Sequence, residues 1–168
     1  MGVFMASVAF RVTEKNNWAF IKPRIESMFK GLDGLTDNLD SNGPGYAIVS
    51  PYGDMGMLLA EIAPKVSVLI DGYAVMAMCA DSDFDVLELY RCGELVERSC
   101  VGERYEEIED LTEPDPDNWM PLLRNPDERA ALEQALFEMD VFAEDNLRML
   151  TRLTGYPIFD DGMMLAAE

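Results

Sequence analysis

Histidine is absent from the 168 residues of this chain, and that absence excludes several kinds of chemistry at once. Catalytic Ser–His and Cys–His pairs need an imidazole that takes a proton near neutral pH, and histidine-based zinc sites need its ring nitrogens. Cysteine is scarce too, because Cys79, Cys92 and Cys100 are the whole set and contain no Cys-x-x-Cys pair. Three such thiols favour reduced cysteines, a cytoplasmic location and no zinc centre.

Long hydrophobic runs and basic side chains are also in short supply. No run of about 18 apolar residues occurs, so the sequence predicts no membrane-spanning helix. Lys and Arg total 13 against 32 for Asp and Glu, which gives a net charge of −19. Such a surface repels phosphate backbones and anionic lipids, so we expect neither a nucleic-acid partner nor a membrane partner. No glycine-rich phosphate-binding spacing is present, and we expect no cofactor.

Hydrophobic residues make up 49% of the chain, which is enough for a buried core in a single domain covering residues 1–168. The periodicity predicts strand, helix, strand and helix, then a group of antiparallel strands, then two or three helices. This order predicts an α+β fold, with an antiparallel sheet of about four to six strands, helices packed mainly on one face and a helical C-terminal segment. Residues 102–118 are expected to form an acidic surface connection, and residues 160–168 to be loosely held.

Two segments leave alternatives open. Pro23 interrupts the first helical pattern, so it predicts either a kink or a second helix beginning there. Further on, Pro64 either ends the second helix, with Asp71 and Gly72 then joining two strands as a hairpin turn, or lies within a helix that continues. Both alternatives share a strand from Ala74 to Ala80.

Three carboxylates stand at alternate positions, at Asp81, Asp83 and Asp85. Carboxylates at this spacing can bind a hard cation such as calcium, so these three residues are the candidate metal ligands. The EF-hand pattern fails, because Val86 stands where it needs glycine and Cys92 where it needs glutamate. The other interpretation is a turn between strands, since Asp bonds readily to its own backbone. A metal-dependent or carboxylate-based enzyme is therefore an alternative function, although we assign no catalytic residue.

Negative charge is concentrated in the second half of the chain. Residues 85–168 hold 7 basic and 22 acidic side chains, so their net charge is 7 − 22 = −15. The densest stretch supplies the candidate partner-binding residues, Glu106, Glu107, Glu109, Asp110, Glu113, Asp115 and Asp117. This stretch is either a solvated loop or a docking surface that steers a basic protein toward the chain.

Aromatic residues provide a further alternative. Trp18 and Trp119 are interpreted either as packing anchors or as platforms for a small molecule, which would make the chain a small-molecule binding module. Cys79 falls in a predicted buried strand and is expected to belong to the core. A homo-oligomer also stays open.

Several short motifs together suggest a resemblance. They are Asp81-Ser82-Asp83, Leu89-Tyr90-Arg91 with Gly93-Glu94-Leu95, Trp119, and the final helix from Phe142 to Gly155. In these motifs the C-terminal two-thirds resembles a group of bacterial single-domain proteins of unknown function, which implies an intracellular α+β domain. In size and charge the chain is similar to immunity proteins that neutralise secreted toxins. The leading hypothesis is therefore that the chain is a non-catalytic module that binds a basic protein. The most specific form of this hypothesis is an immunity-like role.

Overall fold

The computed structural model describes residues 2–40, 45–50, 56–102, 110–138, 142–159 and 161. These residues contain six strands and five α-helices. The strands are β1 (Phe4–Arg11), β2 (Thr36–Asp37), β3 (Gly45–Ser50), β4 (Tyr73–Ala80), β5 (Phe84–Arg91) and β6 (Glu94–Gly102). The helices are α1 (Trp18–Phe29), α2 (Gly56–Leu69), α3 (Pro116–Trp119), α4 (Arg129–Phe137) and α5 (Ala143–Thr154).

The strands form one sheet in the order β2-β3-β1-β4-β5-β6, and every neighbouring pair is antiparallel. Strands β5 and β6 form a hairpin, which turns at Cys92 and Gly93 with φ angles of 49° and 88°. Positive φ at both central residues matches the right-handed twist of the flanking strands. The expected α+β class, with its antiparallel sheet and helical C-terminal segment, is confirmed.

Helices cover both faces of this sheet. Alternate residues of each strand point to opposite faces, and two separate hydrophobic cores result. Helices α1 and α2 pack on one face, while α3, α4 and α5 pack on the other. This arrangement differs from the expected packing of helices mainly on one face. The physical reason is that β1 and β4 are apolar at almost every position and that β5 is buried at every position from Asp85 to Tyr90, so both faces of these strands need cover.

The two prolines lie inside helices, which settles the open alternatives. Helix α1 contains Pro23, and α2 continues through Pro64 as far as Leu69. Helix α2 then ends where Asp71 adopts a positive φ of 49°, and the next strand begins at Tyr73. The Asp71-Gly72 pair therefore ends a helix and does not join two strands.

The C-terminal helix follows its predicted pattern. Leu147, Leu150 and Leu153 of α5 are buried, and Gly155 with a φ of 71° ends the helix by donating its N–H to the Thr151 carbonyl at 2.8 Å. Within the described ranges, none of the helices is long and apolar enough to cross a membrane. The expectation of a loosely held tail falls on residues 160–168, of which the structure describes only residue 161. The single domain stays a prediction.

Candidate functional site

The predicted metal ligands lie around the turn between β4 and β5. Asp81 and Asp83 are exposed, whereas Asp85 is 0% exposed and belongs to the interior. The Oδ1 atom of Asp81 accepts the backbone N–H of Gly2 at 3.1 Å. Across the residues that the structure describes, no three or more Cys, Asp or Glu side chains are grouped so that they could hold a metal ion. The structure does not bring the three carboxylates together, and metal binding by them stays a prediction.

Asp85 instead belongs to a buried cluster with Cys79 and Glu144. Asp85 of β5 is the register partner of Cys79 in β4, and the Cys79 Sγ atom lies 4.0 Å from Oε2 of Glu144, in the first turn of α5. Neither carboxylate oxygen of Asp85 has a conventional hydrogen-bond partner among the described residues. Glu144 is 7% exposed, so both carboxyl groups are enclosed and out of reach of a substrate.

Burial dominates the protonation of this cluster. It raises the pKa of Asp85 well above the usual value, a shift that the Cys79 thiol opposes and the nearby Glu144 reinforces. Burial first, and Asp85 second, also raise the pKa of the Cys79 thiol. A thiol kept protonated is a poor nucleophile, so Cys79 acts as the core residue that the sequence predicts.

The acidic stretch is only partly within the described residues. Glu106, Glu107 and Glu109 lie outside them. The other four candidate partner-binding residues, Asp110, Glu113, Asp115 and Asp117, are all exposed. Asp117 pairs with Arg129 at 2.6 Å, and Oδ1 of Asp115 accepts the Asp117 N–H at 3.0 Å to cap α3. The structure therefore places four of the seven predicted carboxylates along one surface segment, residues 110–117.

Glu97 anchors this segment to the edge strand β6. It is 6% exposed, and its carboxylate accepts four hydrogen bonds. The donors are the Ser99 hydroxyl at 2.8 Å and, each at 2.9 Å, the Asp115 N–H, the Asn118 amide and the Trp119 indole N–H. A buried charge is tolerated when donors surround it in this way. Sequence reasoning missed Glu97, although an acidic residue at an inward strand position was a usable signal.

Backbone pairing continues the attachment along β6. Thr112 donates both its N–H and its hydroxyl to the Arg98 carbonyl, each at 3.0 Å, and it forms a parallel bridge with Ser99. Two separate contacts, at Thr112 and at Asp115, therefore hold segment 110–117 against the sheet edge.

A groove opens beside this segment, between the end of β6 and α4. Its volume is about 260 Å³, and it is lined by Cys100, Val101, Gly102, Thr112, Glu113, Pro114, Leu136 and Phe137. Phe137 is 53% exposed, and Glu113, which lines the same groove, is exposed as well. We call these eight lining residues the acidic groove, because the exposed carboxylate of Glu113 stands among apolar residues there.

The tryptophans have different environments. Trp119 is fully buried and is a packing anchor that donates to Glu97. Trp18 is half-buried and stacks on Tyr46, with ring centroids 4.2 Å apart. Of the cysteines, Cys79 is buried, Cys92 is exposed and Cys100 is half-buried.

Comparison with known proteins finds no matching family model, no matching curated sequence and no matching solved structure.

Proposed function

We propose that the protein is a non-catalytic binding module that engages a basic protein partner through the acidic groove. The observation that carries this proposal is the groove itself, because the exposed residues Phe137 and Glu113 both line it. A lysine or arginine side chain of a partner fits both features. Its methylene stem packs on apolar walls while its charged head stays beside a carboxylate and water.

Charge complementarity selects the occupant. The chain carries a net charge of −19, so a positively charged surface is drawn toward it and associates faster. A second copy of this chain would bring the same negative charge to the groove and would be repelled. Aromatic side chains are enriched at the centres of protein interfaces, where Phe137 would serve as an anchor.

The anchoring of segment 110–117 also favours binding of a partner. Glu97 and Thr112 hold this segment on the sheet edge before any partner arrives. A surface that is already ordered loses less conformational entropy on binding, so more of the contact energy remains as affinity.

The sharpest form of the proposal is immunity-like, in which the basic partner is a secreted toxin that this chain neutralises. That form rests on size and charge. A cytoplasmic location is part of the proposal, and it is supported by the free thiols of Cys79 and Cys92, since free thiols persist in a reducing compartment.

The test is capture from the native lysate with the purified protein as bait at about 0.05 M salt, where charge interactions extend furthest. The groove variant combines Asp110→Asn, Glu113→Gln and Phe137→Ala. The control variant combines Glu14→Gln and Asp33→Asn, which remove two exposed charges outside the groove. We expect the wild-type chain and the control to enrich the same basic protein, and the groove variant to lose it.

Raising the salt to about 0.5 M is expected to release that protein, because the screening length falls to a few ångströms. Two results would reject the proposal. One is that no salt-sensitive basic protein is enriched. The other is that the groove variant captures the partner as well as the control does.

A further inference from the structure

Two arginines and a tyrosine lie side by side at the end of the sheet opposite the acidic groove. Tyr73 of β4 is the register partner of Arg91 in β5. On the other side of β4, Phe10 of β1 pairs with Ala74, so the next residue of β1, Arg11, lies opposite Tyr73. The alternation of side chains along strands puts all three on the face that α3, α4 and α5 cover. Gly102, which lines the acidic groove, pairs with the first residue of β5, whereas Arg91 is the last residue of that strand. The acidic groove and the two arginines are therefore separated by the length of a strand.

A cavity of about 340 Å³ opens at this point. Both guanidinium groups line it, together with Tyr73, Tyr156 and the polar side chains of Thr13 and Asn16. Its volume falls within the range of pockets that bind small molecules, about 300–1,000 Å³. We call it the arginine cleft.

The guanidinium groups in the cleft are held by aromatic rings and not by carboxylates. The Arg11 Cζ atom lies 5.9 Å from the ring centre of Tyr156, and Arg91 Cζ lies 5.3 Å from that of Tyr73. Arg11 also donates one hydrogen bond, to the Thr154 carbonyl at 3.1 Å. Within the described ranges neither arginine forms an ion pair with a carboxylate, whereas Arg98, Arg129, Arg148 and Arg152 all do.

This pairing leaves donors available in the cleft. A guanidinium offers five N–H donors, and a ring contact uses few of them. Among the lining residues Asp71 supplies the one carboxylate, and that group already accepts from the Cys92 thiol at 3.4 Å. Two positive groups against one negative group make the cleft locally positive in a chain whose net charge is −19.

The rest of the lining is suited to an attached apolar group. Ile70, Leu122 and Leu123 form part of the wall. Burial raises the pKa of Tyr156 to about 12, so its phenol stays protonated at neutral pH and can donate a hydrogen bond.

We propose that the arginine cleft binds a small molecule that joins an oxyanion, either a carboxylate or a phosphate, to an apolar portion. The guanidinium groups of Arg11 and Arg91 take the oxyanion, since their planar fork matches two of its oxygens. The apolar portion lies against Leu122, Leu123 and the tyrosine rings. This site is separate from the acidic groove and does not depend on it.

Calorimetric titration with phenyl phosphate and with phenylacetate, at constant ionic strength, tests the cleft and separates the two oxyanion classes. Arg91→Gln should raise the dissociation constant about tenfold or more, because a charge-assisted hydrogen-bond pair is lost. Arg24→Gln is the matched control. Arg24 is also exposed and also lies over an aromatic ring, with Cζ 3.3 Å from the centre of Phe20, but it does not line the cleft. Its substitution should leave the dissociation constant unchanged.

A measurement on the wild-type chain keeps the test independent of whether the variants fold. The ring proton signals of Tyr73 and Tyr156 are expected to shift on addition of the probe that binds. The proposal is overturned if neither probe binds more tightly than about 10 mM, or if binding leaves both ring signals in place. It is also overturned if Arg24→Gln weakens binding as much as Arg91→Gln, since the effect would then be that of net charge alone.

Discussion

Glu97 shows how one side chain can position a surface. Its carboxylate lies among donors from β6, from the loop before α3 and from α3 itself, so it joins three parts of the chain. The exposed carboxylates of segment 110–117 are fixed relative to the groove because this buried one is fully hydrogen-bonded.

Replacing Glu97 with glutamine is expected to destabilise the fold by about 2–4 kcal/mol. The reason is that one of the two accepting oxygens becomes an NH₂ group, which cannot accept the hydrogen bonds of the donors around it. Urea unfolding followed by circular dichroism measures this loss. Glu94→Gln, at an exposed position of the same strand, should change the stability by less than about 0.5 kcal/mol. Equal losses for the two variants would show that Glu97 does not anchor the segment.

Replacing Asp85 is expected to raise the stability of the protein, whereas replacing Glu97 lowers it. Asp85→Asn should stabilise the protein at neutral pH by about 1–3 kcal/mol, since it removes a buried carboxyl group whose pKa is raised by burial and by the nearby Glu144. The pKa of Asp85 in the folded state is raised above its unfolded value of about 3.9. The favourable contribution of Asp85 to the free energy of unfolding is therefore complete below about pH 3.9. The contribution is lost as the pH rises through the folded-state pKa.

The gain from Asp85→Asn should therefore be larger near pH 8 than near pH 5 in urea unfolding. Asp83→Asn, in the adjacent turn and exposed, should be neutral within about 0.5 kcal/mol at both pH values. A gain that is the same at both pH values would mean that Asp85 does not titrate differently in the folded and unfolded chains.

Residues of the core were predictable from sequence, and residues of the sites were not. Cys79 was expected to belong to the core, and packing was one of the two interpretations of Trp119; both residues are fully buried. Arg11 could not be identified as a cleft residue, because the carbonyl that holds it lies 143 positions away along the chain. Contacts of that kind depend on the tertiary fold, which neighbouring residues in the sequence do not encode.

Among the elements, α5 and the β5–β6 hairpin matched their sequence signals most closely. Both end at residues with positive φ, Gly155 and the Cys92-Gly93 pair, which the turn chemistry predicts. Helix α2 was harder, because Pro64 is a helix breaker by propensity. Its helix continues because Leu59, Ile62 and Val66 are buried against the sheet, and that packing outweighs the lost hydrogen bond.

Gly155→Ala is expected to destabilise the protein by about 1 kcal/mol, because a Cβ atom at a φ of 71° strains the end of α5. The new Cβ would also displace the Arg124 side chain, whose Nε atom lies 2.2 Å from its position. Thermal unfolding measures the loss. Gly72→Ala is the control, since its Cβ would meet nothing closer than 3.6 Å. A loss no greater than that of the control would contradict the capping role of Gly155.

At the scale of the molecule, the order of elements predicted the α+β class, but the second helical layer was not expected. Apolar residues at successive positions of β1, β4 and β5 were the available signal, since a strand buried on both faces lacks the polar alternation of a half-exposed one. The site at each end of the sheet depends on that second layer, which supplies Leu136 and Phe137 to the groove and Tyr156 to the cleft.

The net charge of −19 also has a consequence for stability. Like charges repel more in the folded chain than in the expanded unfolded chain, so added sodium chloride should raise the melting temperature. We expect a rise of about 2–4 °C between about 0.02 and 0.3 M salt, equivalent to roughly 1 kcal/mol. A non-ionic osmolyte at the same osmolality serves as the control. An unchanged or lower melting temperature in salt would show that the repulsion is already compensated.

Site-specific cross-linking shows whether a basic protein docks in the acidic groove. A photoactivatable benzoylphenylalanine replaces Phe137 in one variant and Phe20, on α1, in the other. Both native rings are 53% exposed, so the two positions are matched in access. After irradiation in the lysate at low salt, position 137 should cross-link to the basic protein captured by the wild-type chain, while position 20 should not. Cross-linking from position 20 alone, or equally from both, would contradict docking in the groove.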